Sequence, residues 1–155
     1  MKKIACAAIV TMLLQLSVFA QTNALIGAWQ PVEITKPDGK VVTGLEVGLY
    51  IFTQNHFSRT YWPDKPRPFL DADPAKRTND QRLAAYDNYN ANAGTYKVSG
   101  STLTLQIMTA KNAQASYGPQ VFEYRIEGDT LSIKSISGGP VQNVGSIYKL
   151  VRLKP

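Results

Sequence analysis

Residues 94–107 read GTYKVSGSTLTLQI, and this stretch decides the fold. Two runs of alternating apolar and polar residues flank Gly100-Ser101. A glycine in the first position of a two-residue connection is the preference of a type II′ hairpin turn, whose twist matches that of the strands it joins. That turn fixes the register. Val98 faces Leu103, Tyr96 faces Leu105 and Gly94 faces Ile107. Every apolar partner falls on one face, with Lys97 and Thr104 on the other. Turn chemistry and alternation agree, and a slip of one residue would invert both strands.

The same logic extends along the chain. Gly128-Asp129 pairs Ile126 with Leu131 and Tyr124 with Ile133, leaving Arg125, Glu127 and Ser132 on the opposite face. A turn at Gln54-Asn55 pairs Phe52 with Phe57, Tyr50 with Arg59 and Gly48 with Tyr61. Here Val47, Leu49, Ile51 and Trp62 make a second apolar set, so either face could be interior. In all, eight antiparallel strands are expected, near 27–34, 45–53, 56–62, 93–99, 102–109, 120–127, 130–136 and 145–153. Eight short strands in sequence order, each with an apolar face, close into an up-and-down barrel, because closure leaves no exposed edge. Such a barrel has an interior that side chains fill or that holds one small ligand.

One segment interrupts the meander. Residues 63–78, PDKPRPFLDADPAKRT, hold four prolines and cannot form a central strand or a regular helix. Thr78 or Asn79 can then cap a short helix over 79–90, in which Leu83, Tyr86 and Tyr89 recur at helical spacing. The expectation is one helix, between the third and fourth strands.

The N-terminus belongs to no barrel. Lys2 and Lys3 precede an apolar run, Ile4–Phe19, and small residues at Val18 and Ala20 flank Phe19. This is the pattern of a cleaved secretory signal peptide over residues 1–20, followed by one domain over 21–155. An exported location, periplasmic or extracellular, follows. The single cysteine, Cys6, leaves with the leader, so the mature chain has no disulfide and must be held by its core. The formal charge of +6 falls to +4 with loss of Lys2 and Lys3. The remaining cations are scattered among eleven acids, which argues against a nucleic-acid partner, and no segment suited to stable membrane insertion remains.

The stretch LIGAWQPVEITKPDGKVV at residues 25–42 opens the first strand with Gly27-x-Trp29. With GLYIFTQNHFS at 48–58 and AAYDNYNANAGTYKV at 84–98, it resembles the bacterial lipocalin-like domain family, a calycin-type barrel. That family orders L-x-G-x-W, a D-G turn, a G-x-L-x-Y-T-x-x-G hairpin and a Tyr-bearing helix before G-T-Y. The chain departs from it at Asn55-His56 and at Phe52. The resemblance implies a structural trio: Trp29 closing one barrel end, Arg152 of the last strand packed over it, and Gly27 allowing a tight entry. It implies no set activity, since shape does not fix function.

Chemistry-bearing motifs are few. His56 is the only histidine and lies at a turn. Asp71-Ala72-Asp73 lacks the glycine and terminal glutamate of a calcium loop. No metal site, cofactor motif or catalytic constellation is read from the sequence. Glu33 would share the face of Trp29 unless Pro31 shifts the register. The aromatic residues say more. Tyr50, Arg59, Tyr61, Trp62, Tyr96 and Tyr124 can line a pocket of apolar walls and polar tips, or the rings can fill a closed core. The leading expectation is binding of a small hydrophobic or amphipathic molecule, with residues 63–90 as rim or lid. The alternatives are a barrel enzyme of isomerase or cyclase type using a Tyr or Glu33 as acid, and a protein-interaction module with a filled core and an undefined protein partner. The residues favour binding over catalysis.

Overall fold

A computed structural model describes residues 24–44, 48–61, 69–111, 118–140 and 143–154. The expected signal peptide, Val47, Trp62 and residues 63–68 of the proline-rich connection lie outside these described residues.

The strands are β1 (Gly27–Thr35), β2 (Val41–Thr43), β3 (Gly48–Phe52), β4 (His56–Tyr61), β5 (Asn90–Ser99), β6 (Thr102–Ala110), β7 (Gln120–Glu127), β8 (Thr130–Ser137) and β9 (Ile147–Arg152). Neighbours pair antiparallel in the order β1-β3-β4-β5-β6-β7-β8-β9, and β9 returns to β1 to close the barrel. The registers in the three hairpins are those dictated by their turns: Tyr50 opposite Arg59, Tyr96 opposite Leu105 and Tyr124 opposite Ile133. Gly100 and Gly128 take φ of 58° and 57°, and among the described residues no non-glycine residue has positive φ. A positive φ in the first turn position alone is what a type II′ turn requires.

Two features differ from the sequence expectation. A ninth strand, β2, pairs Val41–Thr43 with Glu33–Thr35. It occupies the half of the β1 edge that β3, paired only with Gly27–Trp29, leaves open. The helix therefore falls between the fourth and fifth strands instead of the third and fourth. The signal was the tight turn Pro37-Asp38-Gly39, where Asp38 Oδ1 accepts from the Lys40 N–H at 2.9 Å. The helix itself, α1 (Asn79–Asp87), is shorter than expected. Thr78 and Gln81 form a reciprocal capping box at its start, and the chain is already a strand by Asn90. A 3-10 helix, Pro74–Lys76, precedes it. None of the side chains of α1 is buried, and Leu83 and Tyr86 face solvent. Helical spacing identified the helix, but no apolar stripe of it enters the core.

The open question of the β3–β4 face is settled by burial. Tyr50, Phe52, Phe57, Arg59 and Tyr61 point inward, and Ile51 points out. Three bulges tune the closure. Val32, Met108 and Ile136 each stand opposite no single partner, because registers jump at Pro31/Glu33, Ala93/Gly94 and Val121/Phe122. An extra residue on one strand bends it and sharpens the local twist.

Candidate functional site

The two barrel ends are built differently. The tight hairpin turns between β3 and β4, β5 and β6, and β7 and β8 lie at one end, with the start of β1 and the finish of β9. All the longer connections lie at the other.

The tight-turn end is packed shut. Leu25, Trp29, Leu103, Leu131 and Leu150 have no exposed surface. Each such side chain contributes roughly 1.5–3 kcal/mol by leaving water. Trp29 Nε1–H donates to the Leu25 carbonyl at 2.8 Å. The Arg152 guanidinium carbon stands 4.0 Å from the centre of the Trp29 ring system. Arg152 also donates to the carbonyls of Ile26 and Ala24, at 2.9 and 2.6 Å. Gly27 sits at φ 136°, and a Cβ there would come within 2.9 Å of Arg152 Nη1. Glycine is thus needed at this position for its backbone and for its lack of bulk. Phe52, Phe57, Tyr96 and Tyr124 complete this end. The Tyr96 hydroxyl donates to the Thr53 carbonyl at 2.7 Å, while the Tyr124 hydroxyl is buried with no partner among the described residues. Burial raises the pKa of both phenols.

Towards the other end the interior turns polar. Arg59, Asn92, Gln120, Ser135 and Ser146 are all buried there. Arg59, on β4, is 9% exposed. Its Nε donates to Asn92 Oδ1 at 2.7 Å, and its Nη2 donates to Gln120 Oε1 at 2.6 Å. The guanidinium carbon lies 6.0 Å from the Tyr50 ring centre and 5.8 Å from that of Phe122. Tyr50 and Tyr61 stack at a tilt, with centroids 6.0 Å apart. Asn90 Nδ2 donates to the Tyr61 hydroxyl at 3.3 Å, and the buried Tyr148 lies close to Tyr61 and Ser146. Burial pushes the Tyr50 phenol well above its ordinary pKa, with Tyr61 adding to the shift and Arg59 opposing it. Tyr148 is pushed up to about 12, again chiefly by burial. These phenols stay protonated and can donate at any physiological pH.

The residues named from sequence therefore separate. Tyr50, Arg59 and Tyr61 come together in the polar half. Tyr96 and Tyr124 belong to the packed end, and Trp62 lies outside the described residues. Glu33 does not reach the interior: the extra residue Val32 shifts the phase of β1, so Ile34 follows Trp29 and Pro31 into the core. The acid role considered for Glu33 loses its geometry. His56 is exposed. Asp73 caps the 3-10 helix, its Oδ1 accepting from the Ala75 N–H at 3.0 Å. Among the described residues no group of three or more metal-binding side chains exists.

Asn92, Gln120 and Tyr148 were not singled out from sequence. Each is in phase with inward neighbours: Asn92 with Gly94 and Tyr96, Gln120 with Phe122 and Tyr124, Tyr148 with Leu150. Extending the alternation by one step per strand would have found all three. A groove of about 650 Å³ lies elsewhere, on the outer face of β7–β9, where Glu123, Arg125, Lys134 and Ile147 line it with Ala24 and Ser101. It is open to solvent, and its charged side chains alternate along their strands with the core residues Tyr124 and Ile133, so they point away from the barrel interior.

Residues 26–151 match the family model of the lipocalin-like domain. The fold is similar to that of a lipocalin-like protein from Bacteroides uniformis, with a TM-score of 0.51 and 14% identity over 83% of this chain and 98% of that one. A second similar crystal structure, of an uncharacterized protein from Bacteroides eggerthii, has a TM-score of 0.50 and 14% identity over 83% of this chain and 99% of that one. At such identity the likeness concerns the fold alone. No curated protein sequence matches the chain. Closed barrel topology and a family match spanning nearly all of the described strands agree: the chain belongs to the lipocalin-like domain family.

Proposed function

We propose that the protein is an exported carrier whose barrel binds a small hydrophobic or amphipathic molecule. The observation that carries this reading is the Arg59–Asn92–Gln120 cluster, buried in the polar half of the barrel at the end where the long connections meet. Burying a charge costs several kcal/mol, and a hydrophobic replacement at such a site is often neutral or stabilising. A core whose only task is packing gains nothing from that arrangement. A few polar groups set among aromatic walls are how small-molecule sites fix a ligand's orientation. Tyr50, Tyr61, Phe122 and Tyr148 supply the walls. The connection from β4 to β5 supplies a rim or lid, and it leaves Phe69, Leu83 and Tyr86 uncovered.

A fluorescent apolar probe is expected to bind with micromolar affinity, about −8 kcal/mol. Tyr50→Ala and Tyr61→Ala should weaken that binding by more than they weaken folding, read by titration beside urea unfolding. Absence of binding across a broad library of apolar compounds would sink the carrier reading. It would favour a filled core whose connection meets a protein partner.

Export rests on the N-terminal sequence pattern. Protein recovered from its native host should begin at Gln21 and carry no lipid. Sequencing that finds Met1 on stable protein, or a lipidated Cys6, would remove export from the reading.

A further inference from the structure

Arg59 is a fixed positive charge in a place where charge is expensive. A guanidinium keeps its proton at any pH the fold survives, so it cannot escape burial by neutralising. Both of its recorded hydrogen-bond acceptors are side-chain amide oxygens, of Asn92 and Gln120. Among the described residues no Asp or Glu carboxylate lies within ion-pair distance of it, and it is the only buried cation. The rings of Tyr50 and Phe122 add only a weak attraction, since at 6.0 and 5.8 Å both sit at the outer limit of the distance at which a ring attracts a cation. Dipoles and ring faces offset part of the desolvation. Among the described residues they leave the guanidinium charge without a counter-charge.

The surroundings suit one kind of guest. The Tyr50 ring lies 6.0 Å from the Arg59 guanidinium carbon, and the hydroxyls of Tyr50, Tyr61 and Tyr148 belong to the same half of the barrel. The Tyr50 and Tyr148 phenols, which burial keeps protonated, donate to an anion without competing with it for charge. The guanidinium fork matches the two oxygens of a carboxylate, and such charge-assisted pairs are about twice as strong as neutral ones. A phosphate monoester, with nearly two charges, would outnumber a single buried cation.

We propose, resting on the carrier reading above, that the ligand is a carboxylate-bearing amphiphile whose head seats on Arg59 beside Tyr50, and whose apolar body runs towards the long connections. The direction follows from packing. Beyond Arg59 on the tight-turn side stand Phe57, Phe52 and the fully buried Trp29, Leu103 and Leu131, and a chain cannot enter there. Towards the long connections stand Tyr61, Tyr148 and the lid with its exposed Phe69 and Leu83. Asn92 and Gln120 serve as stand-ins that hold the guanidinium when no ligand is bound, and the head need only share it with them.

The test compares dodecanoic acid with dodecanol, equal in chain length, on protein stripped of lipid and titrated by calorimetry at neutral pH. The acid should bind at least tenfold more tightly. Arg59→Met should erase that preference. Because Arg59→Met leaves two buried amides without their donor and could perturb folding, Gln120→Glu provides an independent variant. It keeps the size of the side chain and supplies an internal carboxylate, so the ratio of acid to alcohol affinity should fall to about one. Equal binding of acid and alcohol by the unaltered protein overturns the carboxylate proposal and leaves the carrier reading standing. A preference that survives in Gln120→Glu also overturns it. If neither compound binds, the carrier reading itself fails.

Discussion

Trp29→Ala should destabilise the protein by about 3–5 kcal/mol, the range for emptying a fully buried large aromatic site. Trp29 has no exposed surface and its indole carries three separate contacts. The ring fills the tight-turn end of the barrel, its Nε1–H satisfies the Leu25 carbonyl, and its face receives the Arg152 guanidinium. Alanine removes all three and leaves a cavity that the rigid barrel wall cannot collapse to fill. Trp29→Phe should cost less, because it restores most of the apolar volume and leaves mainly the Leu25 carbonyl unpaired, at about 1–3 kcal/mol. Arg152→Ala should also cost less than Trp29→Ala. Urea unfolding followed by circular dichroism measures each. A loss below about 1 kcal/mol for Trp29→Ala would show that the ring does not plug the barrel. A folded domain of this kind has only about 5–15 kcal/mol to lose, so the variant should sit near the edge of stability at moderate temperature.

The fold should also fail in strong alkali, above about pH 10, through its buried phenols. A tyrosine is uncharged when protonated, and in an unfolded chain it ionises near pH 10. Tyr148 in the barrel is held up to about 12. Below pH 10 both states keep the proton, and the contribution to stability is fully present. Between pH 10 and about 12 the unfolded chain releases the proton first, so stability falls as pH rises. Each pH unit in that window costs about 1.4 kcal/mol, and Tyr148 alone removes about 3 kcal/mol by pH 12. Tyr50, pushed well above its ordinary value by burial and by Tyr61, adds to the loss. The tyrosinate absorbance should therefore rise together with loss of the β-sheet dichroism, in one cooperative transition. Tyr148→Phe should make the fall shallower. Tyrosines that titrate independently near pH 10 with the sheet intact would contradict the burial of this cluster.

Local pattern alone determined much of the barrel. Gly100-Ser101 and Gly128-Asp129 each set a register, because a two-residue turn leaves one pairing that puts every apolar side chain on the same face. Gly27, Trp29 and Arg152 are placed at one end by the family resemblance, not by local pattern. The extra strand β2 and the shift at Val32 were not visible in the same way. A bulge is a compromise between neighbouring strands, and its position depends on the closure of the whole barrel rather than on residues nearby. That one residue took Glu33 out of the interior and put Ile34 in its place.

The polar cluster shows the same division. Tyr50 opposite Arg59 was fixed by the β3–β4 turn, yet two apolar sets on that hairpin left its inner face undecided. Only burial against β5 and β7 turned Arg59 inward. Its partners Asn92 and Gln120 lie 33 and 61 residues further along the chain. Periodicity says which side of a strand a residue occupies. It cannot say that three strands far apart in sequence bring a guanidinium and two amides within hydrogen-bond distance, because that convergence is set by barrel closure and by the twist that closure imposes.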